Sequence, residues 1–185
     1  MNWTKLVVLW ATLGCIVFLA HLHRNDPLFS PEARIARRYQ AQVINRPFTD
    51  LQLEDQAGNR LKLSDLQKGK KQVIVLNFWA TWCPPCIEEM PDLEYLAREM
   101  VKEDFSLVAL SADESWEPIK RLVGDQKLSM QIYRDPDDRQ HRKYGTEKLP
   151  ETYVIDKDGI VRLRLISVQP WKDEELVAYF KWLAR

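Results

Sequence analysis

The stretch "NFWATWCPPCIEEMP", residues 77–91, holds two of the chain's three cysteines, with two prolines between them. Cysteines at i and i+3 share one face of a helix and lie close enough for a disulfide. Proline normally breaks a helix, but the first turn is the exception, because its backbone N–H groups have no partner inside the helix. The spacing therefore predicts a helix from residue 83 to about 102, with Pro84 and Pro85 in its opening turn. The prolines also stiffen the small ring that closes when the cysteines oxidise. A sulfur at a helix N-terminus feels the positive end of the dipole, which favours the reactive thiolate. Cys83 is thus the expected nucleophile, and Cys86, one turn further in, the resolving thiol.

Other uses of the pair fit less well. Structural zinc wants four ligands, yet the third cysteine, Cys15, sits in an apolar run and the histidines are His21, His23 and His141. A structural disulfide across two residues closes so small a loop that it hardly constrains the unfolded chain. No metal site is expected, and no cofactor beyond a redox-active Cys83–Cys86 disulfide.

Outward from this motif the chain reads as α/β. "QVIVLNFWA", residues 72–80, is a continuous apolar, β-branched run of the kind buried on both faces of a sheet. A second such strand, "FSLVALSA", follows at 105–112, then a helix near 115–125 and a short strand "QIYRD" at 131–135. "DPDDRQHRKYG" reads as a capped helix ending at Gly145, and "ETYVID-KDG-IVRLRLI", 151–166, as a hairpin. Leu176, Phe180 and Leu183 recur at helical spacing, which predicts a closing amphipathic helix. Before the first buried strand, "FTDLQLEDQAGNRLKL" offers two short runs around Ala57-Gly58-Asn59, a β-hairpin extension. The expected architecture is a sandwich, a central mixed β-sheet flanked by helices.

The first 46 residues differ in character. Residues 6–22, "LVVLWATLGCIVFLAHL", contain no Asp, Glu, Lys or Arg, and their seventeen positions are at the low end of what spans a bilayer. Residues 1–23 are expected to be a transmembrane anchor, with Trp3 at the interface. A cleaved signal peptide is the alternative, but Phe18 makes cleavage after Ala20 a poor small-residue match, and lipidation at Cys15 would leave an apolar run where a tether should begin. Residues 24–46 read as a linker with a short basic helix, Ser30 as its N-cap and Pro31 at its first position. Residues 47–185 form the globular domain. Lys and Arg balance Asp and Glu at 27 each, so no global field points to nucleic acid. Near the anchor, Lys5 stands on one side and Arg24, Arg34, Arg37 and Arg38 on the other, a bias that by itself favours a cytoplasmic domain.

"NFWATWCPPCIEEMP" together with "KYGTEKLPETYVIDKDG", residues 143–159, resembles the TlpA, ResA and CcmG (DsbE) group, membrane-anchored extracytoplasmic thiol-disulfide oxidoreductases of the thioredoxin superfamily. The resemblance implies a thioredoxin-like fold and a dithiol that reduces disulfides of partner proteins, such as apocytochrome c. An integral-membrane electron carrier would recharge it, on the periplasmic side of the inner membrane. It puts Trp82, Pro84, Leu149 and Pro150 on the substrate-binding face, with Pro150 in the cis form and the Leu149 backbone pairing with bound peptide. Pro91 matches a helix-kinking proline. Cytoplasmic thioredoxins carry a buried aspartate where this chain has Asn77, so another base has to serve the resolving thiol. Glu89, one turn after Cys86 in the pattern C-x-x-E-x-P, is the candidate, and Glu88 is expected to face solvent. Two rival readings follow from other chemistry. The segment "FTDLQLEDQAGNRLKLSDL" also resembles the start of peroxiredoxin-type thiol peroxidases, although their P-x-x-x-T-x-x-C pattern is absent. Two soft thiolates also suit a membrane-tethered copper or thiol chaperone, although no Met or His cluster accompanies them.

Overall fold

The structure is a computed structural model that describes Trp3, Trp10, residues 12–15 and residues 30–185 except residue 138. Most of the expected anchor at 6–22 lies outside these residues. Among the described residues no helix is long and apolar enough to cross a membrane.

Helix α1 (Pro31–Arg38) starts as its sequence predicts, with the Ser30 hydroxyl accepting from the Ala33 N–H at 3.0 Å. It stops after Arg38, and Gln40 adopts a positive φ of 52° that turns the chain away. The linker helix therefore ends early, and the residues after it form strand β1 (Gln42–Pro47), antiparallel to the last strand of the sheet. Alternation in this segment is too weak to announce a strand, because nearly all its side chains are exposed. Its place comes from pairing with a partner more than a hundred residues away.

The hairpin β2 (Gln52–Glu54) and β3 (Arg60–Lys62) forms about the expected turn, where Asp55 accepts from the N–H groups of Ala57 and Asn59. Then come β4 (Val73–Trp79), α2 (Pro84–Glu99), β5 (Phe105–Ser111), α3 (Trp116–Val123), β6 (Gln131–Arg134), α4 (Gln140–Tyr144), β7 (Glu151–Ile155), β8 (Ile160–Ile166) and α5 (Glu174–Leu183). One eight-stranded mixed sheet runs in the order β1-β8-β7-β4-β5-β6-β2-β3. β4, β5 and β6 are parallel, and β7 enters antiparallel beside β4.

All seven residues of β4 are buried, as its unbroken apolar run requires. Its period of two splits them between two cores. Ile74, Leu76 and Phe78 join Leu51, Tyr144 and Tyr153 on one face. Val73, Val75 and Trp79 pack on the other with residues of α1, α2, α3 and α5, and Asn77 falls on that same helix-covered face. Burying an apolar side chain of this size contributes about 1.5–3 kcal/mol, so the apolar alternation fixes the register that points Asn77 at α2.

Candidate active site

β4 is a central strand, and from its carboxyl end the chain passes through Ala80 to Trp82 into α2, so the reactive groups sit where that strand leaves the sheet. Cys83 is the N-cap of α2, with Pro84 and Pro85 in the first turn, where the helix loses no hydrogen bond to them. Cys83 and Cys86 form a disulfide, S–S 2.09 Å and Cα–Cα 5.3 Å, so this is the oxidised form. Cys86 is fully buried, Cys83 is 6% exposed, and Trp82 beside them is 67% exposed.

The approach to Cys83 is held by a carboxylate that the sequence does not flag. Asp113, just after β5, is buried. Its Oδ2 accepts from the Thr81 N–H at 2.9 Å and from the Ser111 hydroxyl, and its Oδ1 accepts from the Thr81 hydroxyl at 2.6 Å. Thr81 is thus tied through both backbone and side chain, two residues before the sulfur.

The Leu149–Pro150 bond is cis, as the resemblance implies. Pro150 is buried and Leu149 half-buried. The Pro150 carbonyl accepts from the Ser167 N–H at 3.0 Å. Directly after it, Glu151 is buried, accepting from Arg164 and from the Tyr153 hydroxyl. Arg164 also donates to the Gly145 carbonyl at 3.1 Å, so the turn leading to Pro150 is braced from β8.

Cys86, Glu89, Leu93 and Leu96 form the inward stripe of α2, and Glu89 is 2% exposed, whereas Glu88 faces solvent. Three donors hold the Glu89 carboxylate. Asn77 Nδ2 donates to Oε1 at 3.0 Å, Trp171 Nε1 donates to Oε2 at 3.0 Å, and the Gln169 backbone N–H contributes a third bond. Asn77 Nδ2 also donates to Thr152 Oγ1 at 3.0 Å, linking the site to β7. Burial drives the Glu89 carboxyl up, the three donors pull it partly back, and it comes to rest at about 7. A carboxyl poised there exchanges protons near neutrality. Sequence reasoning singled out Asn77 and Glu89 but missed Trp171 and Gln169, which lie in a loop eighty or more residues beyond Glu89 with no motif around them. Among the described residues no group of three or more His, Cys, Asp or Glu side chains is placed to hold a metal ion.

The AhpC/TSA family profile matches residues 44–164, and the chain belongs to that family. Within it the chain is a thiol-disulfide oxidoreductase with relatives of the same kind. It is 34% identical over 138 residues to the thiol-disulfide oxidoreductase ResA of Bacillus thuringiensis (strain Al Hakam), covering 75% of this chain and 77% of that protein. Among solved structures it is similar to a thiol:disulfide interchange protein DsbE from Chlorobium tepidum, at TM-score 0.64 and 25% identity, covering 74% of this chain and 96% of the other. A thiol-disulfide oxidoreductase from Bacteroides vulgatus superposes at TM-score 0.63 and 27% identity, covering 76% of this chain and 97% of its own. The thioredoxin-like α/β fold and the thiol-disulfide chemistry that the sequence leads one to expect are therefore shared with these relatives.

Proposed function

We propose that the protein acts as a reductase of protein disulfides outside the cytoplasm, with Glu89 as the proton acceptor for Cys86. The Cys83 thiolate attacks a disulfide of the partner, one partner sulfur leaves with the electron pair and takes up a proton, and a mixed disulfide forms. Cys86 then loses its proton to Glu89 and attacks Cys83 Sγ. The second partner sulfur is released as a thiol, and the Cys83–Cys86 disulfide remains. Two electrons pass to the partner; its second thiol takes the proton that Cys86 gave to Glu89, which is a carboxylate again. The observation that carries this reading is the buried Glu89 carboxylate, one helical turn below Cys86, held by Asn77, Trp171 and Gln169.

Trp82, Pro84, Leu149 and Pro150 are the groups proposed to meet the substrate. The exposed Trp82 ring supports a protein surface as partner, because a large apolar side chain at the reactive sulfur gains most when another surface covers it. Apocytochrome c is the substrate that the family resemblance supports, and an integral-membrane thiol-disulfide carrier is the matching electron source. An anchor at residues 1–23 would keep the domain beside such a carrier, and no cofactor other than the disulfide is needed. The basic residues after the anchor oppose this topology; it is favoured because the group that the sequence resembles works outside the cytoplasm, and a basic linker biases orientation without deciding it.

The Cys83–Cys86 midpoint potential tests the direction of electron flow. Thioredoxin and DsbA differ by about 150 mV, roughly 7 kcal/mol for two electrons. The reductase reading expects a value towards the thioredoxin end, and a value near that of DsbA would refute it. For topology, a membrane-impermeant thiol reagent should label Cys83 in intact, pre-reduced spheroplasts, and absence of labelling would place the domain inside.

A further inference from the structure

Trp171 stands in the loop between β8 and α5, away from the strand and helix that carry the cysteines. It is fully buried and stacks on Phe180, with ring centroids 6.4 Å apart. A buried indole N–H usually finds a hydrogen-bond partner, and a partner once buried is costly to lose. Here the partner is Glu89, one turn along α2 from the resolving thiol. The loop itself is held at several points. The Trp171 N–H donates to the Gln169 carbonyl at 3.0 Å, and the Asp173 N–H to the Pro170 carbonyl at 2.8 Å. Gln169 Nε2 donates to the Ile166 carbonyl at 2.8 Å. Arg38 of α1 pairs with Asp173 at 3.2 Å. The indole is thus delivered by a braced segment whose backbone supplies a second donor to the same carboxylate.

We infer that Trp171 is a positioning residue for disulfide exchange: its indole N–H fixes one oxygen of Glu89 while Asn77 fixes the other, holding the carboxylate in its charged, proton-accepting form. The inference rests on the reading of Glu89 as the acceptor for Cys86. The surroundings leave few other groups to do this work. β4 and β7 present neutral side chains, Asn77 and Thr152. From α2 the nearby charge is Asp92, which opposes ionisation of Glu89 and is itself paired with Lys172 of the loop at 2.6 Å. Described residues therefore put no cation directly on Glu89. Neutral donors alone offset its burial, and the indole is the only one of them supplied by a side chain outside the β4–β7 pair.

Trp171→Phe removes the N–H and keeps most of the ring. The full-length protein, reduced and in detergent, is mixed with oxidised glutathione, and decay of the Cys83–glutathione mixed disulfide is followed by acid quench and mass analysis from pH 5.5 to 9. Loss of one hydrogen bond to a charged acceptor predicts decay roughly tenfold slower at pH 6.5 and a midpoint about one unit higher. Above the shifted midpoint the native rate should return. In the Glu89→Gln background Trp171→Phe should slow decay no further, because the two changes act on one interaction. A ¹³C titration of the Glu89 carboxyl should move up by the same amount. An unchanged midpoint, or equal slowing with and without Glu89, would reduce Trp171 to a packing residue and overturn the inference. If Glu89→Gln itself decays with the native pH profile, the reading of Glu89 as acceptor fails first, and the inference with it. Should Trp171→Phe fold poorly, β-(3-benzothienyl)alanine at position 171, with sulfur in place of the N–H, carries the same test at native shape.

Discussion

Helix α2 buries two glutamates five residues apart, Glu89 and Glu94, and its structure treats them in opposite ways. Both lose solvent, which by itself raises a carboxyl. At Glu94 that cost is outweighed by the N–H groups of Ser129 and Met130 and by the Arg98 guanidinium at 2.8 Å, and the carboxyl ends below its ordinary range. At Glu89 burial wins against neutral donors, and the carboxyl rises to about 7. One glutamate is a permanently charged clasp for the loop that leads to β6. The other is left able to gain and lose a proton beside the disulfide. A cation and a partly open position separate a structural carboxylate from a titrating one on the same helix.

The largest expected effect comes from removing the resolving thiol on that same helix. Cys86→Ser should accumulate a stable mixed disulfide through Cys83 and lose multiple turnover altogether, visible as a covalent adduct on non-reducing gels. Rapid release of the adduct would mean that another thiol resolves it.

Next comes stability against pH. Glu89 binds its proton more tightly in the folded than in the unfolded chain, so the folded state is favoured at low pH, and that advantage is lost as pH rises from about 4.5 to about 7. The shift corresponds to about 3 kcal/mol. Denaturant melts of the oxidised protein should show this fall, and Glu89→Gln should flatten it. A variant that keeps the full slope would show that Glu89 does not carry the proton.

Glu94 should behave with the opposite sign. Its folded carboxyl is lowered, so its contribution is present above the unfolded range and lost as pH falls through the folded one. Glu94→Gln should cost about 1–3 kcal/mol at pH 7, while the pH midpoint of mixed-disulfide decay stays where it was. A moved midpoint would erase the distinction between the two residues. The smallest effect belongs to exposed Glu88, where Gln should change stability by less than about 0.5 kcal/mol and leave exchange unaltered.

Much of this was legible in residues 77–91. The cysteine pair, the prolines of the first turn and the inward position of Glu89 follow from helical spacing, because all are local consequences of one helix. The buried strands were readable for a similar reason, since a run apolar at every position has to be covered on both sides. β1 was not, because its exposed side chains carry no alternation and only β8 gives it a place. Asp113 and Trp171 were hidden for a third reason. Each acts on a residue thirty or more positions away, and neither sits in a pattern that marks polar contact.

The sequence by itself determined a helix-capping dithiol, the strand that delivers it and the choice of Asn77 over a carboxylate at the neighbouring strand position. Tertiary structure decided how Glu89 titrates. The charge state of a buried carboxyl depends on how much water it loses and which donors replace it, and those donors come from β4 and from the loop before α5. Their convergence on one pair of oxygens is a property of the folded sheet, so no local reading of "CPPCIEE" could supply it.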